Sequence, residues 1–205
     1  MTQPFWETAY ADLNTATFGG PSQEIRNVAT DLGPGAKVLD LGCGEGRNAL
    51  FLAECGFDVT AVDISETGIR KLNALAQERQ LGIHSEVADM RDYQFGHSFD
   101  LIVSHGCLHL IERESWQRLI PLFKAHTNPG GINIVSVFTD RIPPPDDLRE
   151  FCLGLFREGE LFSLYSDWEP VLRQSYTFQD EHPGSSQHTH PVNKLVARKP
   201  CSGAW

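Results

Sequence analysis

No run of about 18 consecutive apolar residues occurs in the chain, and the opening MTQPFWETAY has no charged segment followed by an apolar one. Neither a membrane span nor a secretory leader is expected, and a cytoplasmic protein is. There is no Cys-x-x-Cys pair either. The five cysteines, Cys43, Cys55, Cys107, Cys152 and Cys201, are odd in number and scattered, so neither a disulfide framework nor a zinc ribbon is suggested. Basic residues are few: 17 Lys and Arg stand against 27 Asp and Glu, for a net charge of -10, and none of them form a dense run. Neutralising phosphates needs a basic face, so the expected partner is a small molecule and not a nucleic acid. No internal repeat is present, and the only low-complexity tract is the three prolines at 143–145.

What remains is an ordinary globular composition of 205 residues, 40% hydrophobic and 21% charged, which suits one domain spanning 1–205. A helical lead-in is expected over 1–32, with a loop at Phe18 to Pro21 and a helix from Ser22 to Leu32. Then a rhythm sets in. Val38-Leu39-Asp40-Leu41 is a short apolar run bounded by glycine, and RNALFLAECG reads as a helix ended by Gly56. Strands at 57–65, 84–90, 99–106 and 130–138 alternate with helices at 66–80 and 115–126, the pattern of a doubly wound α/β sheet. After the IPPPDD linker a helix is expected around EGELFSLYSDW. EPVLRQSYTF and VNKLVARK then follow without a helix between them, which implies an antiparallel hairpin at one sheet edge.

The stretch DLGCGEG, residues 40–46, joins the first strand to the first helix of that rhythm. Glycines there let a ligand approach the backbone closely, and the spacing selects the ligand. A dinucleotide site wants G-x-G-x-x-G and a P-loop wants G-x-x-x-x-G-K-[ST]; here the glycines are Gly42, Gly44 and Gly46, with no Lys-Ser or Lys-Thr behind them. A carboxylate at Asp40 repels pyrophosphate and suits an ammonium group, with Glu45 adding negative charge. About twenty residues on, Asp63 ends the second strand, where an acidic side chain takes the hydroxyls of a ribose. Asp89 ends the third in VADM, placed to accept from the exocyclic amine of a purine, with Met90 beside it to cover the ring. An ammonium, a ribose and an adenine in that order describe S-adenosyl-L-methionine.

VLDLGCGEGRNALFLAECGFDVTAVDIS is similar to the first two motifs of class I S-adenosylmethionine-dependent methyltransferases, and FDLIVSHGCLHLI and NPGGINIVSVF resemble that fold's fourth and fifth strands. More narrowly, GRNALFLA, FREGELFSLYSDWE and KLVARK resemble the tellurite-resistance (TehB-like) methyltransferases, small enzymes thought to methylate tellurite, selenite or related soft nucleophiles. The resemblance implies a Rossmann-like fold with a mostly parallel seven-stranded sheet and an antiparallel C-terminal hairpin. It also implies a cofactor core over 35–139 and acceptor-side elements over 140–199. Position by position, it places Gly42, Gly44 and Gly46 along the methionine part, Asp63 and Ile64 at the ribose, Asp89 and Met90 at the adenine, and Ser104 toward the methyl group. Asp40, Cys43, Arg47 and Asn48 complete the cofactor set.

In TehB-like proteins a His and two Arg before the final strand are taken to bind an oxyanion. The loop here, QDEHPGSSQHTHPVN, keeps His182, His188 and His190 but has no arginine. Those histidines are the candidate acceptor-binding residues, with Arg47 or Arg157 as helpers, because imidazoles protonate near neutral pH and hold anions. A solvated polar loop is the plain alternative, and no metal site is assigned. His105, Cys107 and His109 follow the fourth strand, His109 being the most structural of the three. Trp6 and Tyr10, one helical turn apart, are candidate lid residues, whereas most of Phe156, Phe162, Tyr165 and Trp168 belong to the core. The expected activity is methyl transfer to a small anionic or soft nucleophile of the tellurite, selenite or thiol type. The alternatives are an organic N, O or S acceptor, or a non-catalytic module binding S-adenosylmethionine or a metal. A monomer or a homodimer is compatible with the sequence.

Overall fold

The computed structural model of the chain describes residues 4–12, 15–146, 148–180 and 188–201. In chain order its helices are α1 (Phe5–Tyr10), α2 (Gln23–Ala29), α3 (Arg47–Glu54), α4 (Glu66–Glu78), α5 (Arg113–Ala125) and α6 (Glu160–Leu164). Its strands are β1 (Lys37–Leu41), β2 (Asp58–Asp63), β3 (Ile83–Val87), β4 (Phe99–His105), β5 (Thr127–Phe138), β6 (Glu169–Asp180) and β7 (His188–Arg198). One seven-stranded sheet runs in the order β3-β2-β1-β4-β5-β7-β6, parallel except where β7 lies antiparallel to β5 and β6. Among the described residues no helix is long and apolar enough to cross a membrane. Contacts cluster into two compact units, residues 1–103 and 104–205.

In the first unit β1 is the central strand, paired in parallel with β2 and β4. Strands of a parallel sheet are covered on both faces, so they read as unbroken apolar runs. Val38, Leu39 and Leu41 are each fully buried, and so are Val59, Ala61 and Val62 of β2. The 3.6-residue period of α4 sends Ile69, Leu72 and Ala76 inward. Its first turn is capped by Ser65, whose hydroxyl accepts from the Gly68 amide at 2.9 Å. The helix from Ser22 to Leu32 is shorter than its sequence pattern, spanning Gln23–Ala29. β3 stops at Val87, two residues short of Asp89, which therefore lies in the loop behind the strand rather than at its end.

In the second unit the hairpin is present, and its return strand β7 lies between β5 and β6, leaving β6 at the edge. The late helix is reduced to the five residues of α6. Trp116 of α5 stacks on Phe156 with ring centroids 3.9 Å apart and donates its indole N–H to Gly154 O at 2.7 Å. Phe156 and Tyr165 are fully buried and Trp168 nearly so, which makes them core as expected. Thr127 donates to Asn133 Oδ1, and Asn133 Nδ2 donates in turn to the Tyr165 hydroxyl at 3.0 Å. Tyr165→Phe strands that buried amide donor. The expected loss is about 1–3 kcal/mol of unfolding free energy in a urea titration with unchanged slope.

Candidate functional site

The turn between β1 and α3 supplies the first half of the site. Gly44 and Gly46 adopt φ of +57° and +84°, a left-handed conformation that side-chain-bearing residues resist. Space demands glycine there as well. A Cβ on Gly44 would sit 2.5 Å from the Tyr10 hydroxyl, and one on Gly46 would sit 2.2 Å from Leu72 Cδ1.

Asp40 lies at the base of this turn, 1% exposed, and neither carboxylate oxygen has a hydrogen-bond partner among the described residues. Burial pushes its pKa up to about 7; Arg47 and the Ala49 amide oppose the rise and Asp63 adds to it. A buried acceptor without a donor is costly unless a ligand supplies one. An ammonium group does so, and its positive charge offsets that of the ionised carboxylate.

Asp63, at the end of β2, accepts the Gly44 amide at 2.7 Å through Oδ2 and the Ser65 amide at 2.9 Å through Oδ1. A carboxylate oxygen accepts more than one hydrogen bond, so this side chain both fixes the glycine turn and keeps lone pairs for a diol. Burial raises its pKa, and the Ser65 and Gly44 amides hold it back. Ile64 beside it is an apolar side chain left 64% exposed. Cys43 is buried in the turn as a small filler, its thiol 3.7 Å from Gly44 O. Asn48 accepts the Ser22 amide through Oδ1 at 3.3 Å, and Arg47 donates to Phe18 O at 2.7 Å.

Other expected residues are engaged differently. Glu45 is 4% exposed, and its charge is paired with Lys71 Nζ at 2.7 Å. Asp89 is held by Arg91, whose Nε lies 2.9 Å from Oδ2, and this pairing lowers the Asp89 pKa. Met90 beside it is half-buried. Ser104 is fully buried, its hydroxyl 3.1 Å from Cys107 Sγ. Arg157 is exposed, and its backbone amide donates to Glu160.

Of the three candidate histidines, His182 lies outside the described residues and His188 opens β7 opposite Asp180. His190 is 3% exposed and stacks on Phe138 with centroids 4.3 Å apart. The other face of Phe138 carries His109 at 4.0 Å, whose Nδ1 accepts the Phe138 amide at 3.2 Å. Burial, reinforced by His190, drives the His109 pKa down to about 3, so this imidazole stays neutral. That stack was not foreseen from the sequence. Alternation along β7 and the apolar end of β5 are its only traces there.

A glycine turn behind β1, an unpartnered buried carboxylate and an acidic residue ending β2 define the class I S-adenosylmethionine-dependent methyltransferase fold, and the site's residues fit that cofactor. The profile of the family described as Tellurite resistance protein TehB matches residues 10–183, and the chain belongs to that family. It is 36% identical over 158 residues to the probable S-adenosyl-L-methionine-dependent methyltransferase TehB of Haemophilus influenzae, covering 76% of this chain and 52% of that protein. The crystal structure of TehB from Haemophilus influenzae superposes with a TM-score of 0.77 at 30% identity, covering 91% of this chain and 64% of the other. Hemagglutinin 1 of Eikenella corrodens is 33% identical over 145 residues, 71% of this chain and 47% of that protein. The chain thus spans about half the length of the curated relatives it matches.

Proposed function

We propose that the chain is an S-adenosylmethionine-dependent methyltransferase whose acceptor is a small anionic or soft nucleophile of the tellurite, selenite or thiol type. The observation that carries the reading is Asp40, a buried carboxylate left without a donor beneath a glycine turn. The naming of the TehB relatives supports it. When bound, the cofactor supplies a methyl group on a positively charged sulfur. Asp40 then receives the ammonium end, Asp63 and Ile64 the ribose, and Asp89 and Met90 the adenine side. In-line displacement from a sulfonium disperses charge, so the protein's part is positioning and exclusion of water. An acceptor that is already anionic needs no base. In this reading His182, His188 and His190 orient the acceptor, within the second unit.

One observation favours the second reading, an organic N, O or S acceptor. His190 lines a small cavity with Phe138, Thr139, Cys152, Leu155 and Thr189, and among the described residues no Lys, Arg, Asp or Glu lines it. His109 is neutral, and burial pushes the Cys152 thiol up to about 11. The cavity has room for about one water, so what it offers an acceptor is a wall without Lys or Arg, which suits an uncharged group better than an oxyanion.

Counting transferred methyl groups against tellurite, selenite, small thiols, amines and phenols separates the readings. Turnover on selenite or a thiol about tenfold or more above any amine or phenol is the expected result. Turnover confined to amines or phenols establishes the second reading, and tight cofactor binding with no turnover on any of them leaves a binding module.

A further inference from the structure

Lys71 of α4 is 2% exposed and carries a charge that no part of the cofactor reading uses. Its ammonium lies 2.7 Å from Glu45 Oε2 and 2.6 Å from each of two backbone oxygens, Asp12 O and Thr15 O. An ammonium has three N–H donors, and all three are engaged. Glu45, equally buried, accepts the Thr17 amide at 2.7 Å and the Thr17 hydroxyl at 2.8 Å. One ion pair thus ties together α4, the glycine turn and the chain between α1 and α2. Arg47 on Phe18 O and Asn48 on the Ser22 amide extend the same seam.

A buried ion pair is weak evidence for stability, because desolvating both charges offsets their attraction and an apolar pair of similar volume commonly serves as well. What it fixes is geometry. The seam holds Tyr10 directly over the turn: its ring lies 3.2 Å from where a Cβ on Gly68 would stand, and its hydroxyl meets the corresponding point on Gly44. Tyr10 is 6% exposed, and its ring meets Phe18 edge-on at 6.1 Å.

We propose that Lys71, acting through Glu45, is a positioning residue for the methyl donor: the pair clasps the lead-in over the glycine turn so that Tyr10 roofs the donor's amino-acid end. This rests on the donor reading above. It assigns to Lys71 and Thr17 a part in donor affinity although neither touches the donor, and it makes the lead-in and the cofactor close together.

The test uses Lys71→Met/Glu45→Gln, which removes both charges at once and leaves neither buried alone, and Thr17→Val, which removes one donor from the lead-in side. Calorimetry with S-adenosylmethionine and with adenosine, which lacks the amino-acid tail, is paired with chymotrypsin cleavage at Tyr10 and Phe18. The double variant is expected to weaken S-adenosylmethionine about tenfold or more while adenosine changes less than about twofold, and Thr17→Val to follow with about threefold. In wild type the cofactor slows cleavage; in the double variant cleavage is fast with or without it. Equal loss of both ligands marks a merely structural pair and overturns the proposal, as does unchanged S-adenosylmethionine affinity in both variants. Failure of wild type to bind S-adenosylmethionine defeats the donor reading itself, a distinct result.

Discussion

Asp40→Asn is expected to weaken S-adenosylmethionine binding by about 2–5 kcal/mol, from tens to thousands of fold, while leaving the protein folded. The substitution keeps shape and replaces the carboxylate with an amide, which cannot balance a buried ammonium. Ordinarily, loss of a buried charge destabilises a fold because a partner is left behind; here neither carboxylate oxygen has a hydrogen-bond donor among the described residues, and Arg47, whose charge attracts Asp40, keeps its bond to Phe18 O. Titration calorimetry on the variant, with circular dichroism to establish folding, is the measurement. Retention of wild-type affinity would remove the central support of the donor reading.

The same side chain sets a pH dependence whose sign follows from its raised pKa. Unfolded, Asp40 ionises near the ordinary aspartate value of 3.8; folded, it holds its proton up to about 7. Between those values the native state binds more protons than the unfolded state, so stability falls as pH rises. Below about pH 4 there is no penalty, and above about pH 7 it is complete. Asp40→Asn abolishes the term, so the variant should gain on wild type in urea melts as pH rises from 4 to 7. Donor binding runs the opposite way, since an ammonium wants the ionised form. Affinity of wild type for S-adenosylmethionine is expected to rise about fivefold from pH 6 to pH 7, the growth of the ionised fraction of a group titrating near 7. In Asp40→Asn the affinity is flat. Arg47 and Asp63 bear on the same titration, so a slope that persists in the variant would reassign the proton to one of them or to the ligand.

Most of the framework from β1 to β2 was legible because it is written in local signals. The run Val38 to Leu41 is both strand and core, Gly42, Gly44 and Gly46 mark the turn, and Asp63 falls one strand later at the interval a βαβ unit imposes. Partners that lie far along the chain were not legible. Glu45 read as further negative charge in the loop; its partner Lys71 lies 26 positions on and is also held by backbone oxygens that have no sequence signature. A lysine beside the Ile69, Leu72 and Ala76 stripe of α4 was the one available hint that it is buried. Asp89 read as an acceptor for a purine amine, and the Arg91 that pairs with it from two positions away was not anticipated. The late hairpin was visible as two strands without a helix, but strand order depends on which partner buries more surface, so the insertion of β7 between β5 and β6 was not. The stack of His109 and His190 on Phe138 joins residues from three separate segments, and no periodicity within any one of them encodes it.

Gly46→Ala is expected to lower stability by about 2–5 kcal/mol, the sum of about 1–2 for a left-handed alanine and about 1–3 for overpacking. Gly46 begins α3 with φ of +84°, and its added methyl would meet Leu72 at 2.2 Å for Cδ1 and 3.0 Å for Cγ. Leu72 is fully buried in the α4 interface, so it cannot swing into solvent. The contrast is Gly44→Ala, whose methyl meets the tip of Tyr10 at 2.5 Å. Tyr10 belongs to the lead-in, which can lift away from the turn at the expense of its seam. Both variants carry the left-handed backbone cost of about 1–2 kcal/mol; Gly46→Ala adds the Leu72 clash and lowers the unfolding midpoint further, whereas Gly44→Ala adds a loss of S-adenosylmethionine affinity. Adding Leu72→Ala to Gly46→Ala separates strain from clash. If overpacking carries the cost, the double variant loses less than the two single variants combined, by about 1–2 kcal/mol of coupling. Strict additivity would place the whole penalty in the backbone, because the left-handed φ at residue 46 is the same whatever occupies position 72.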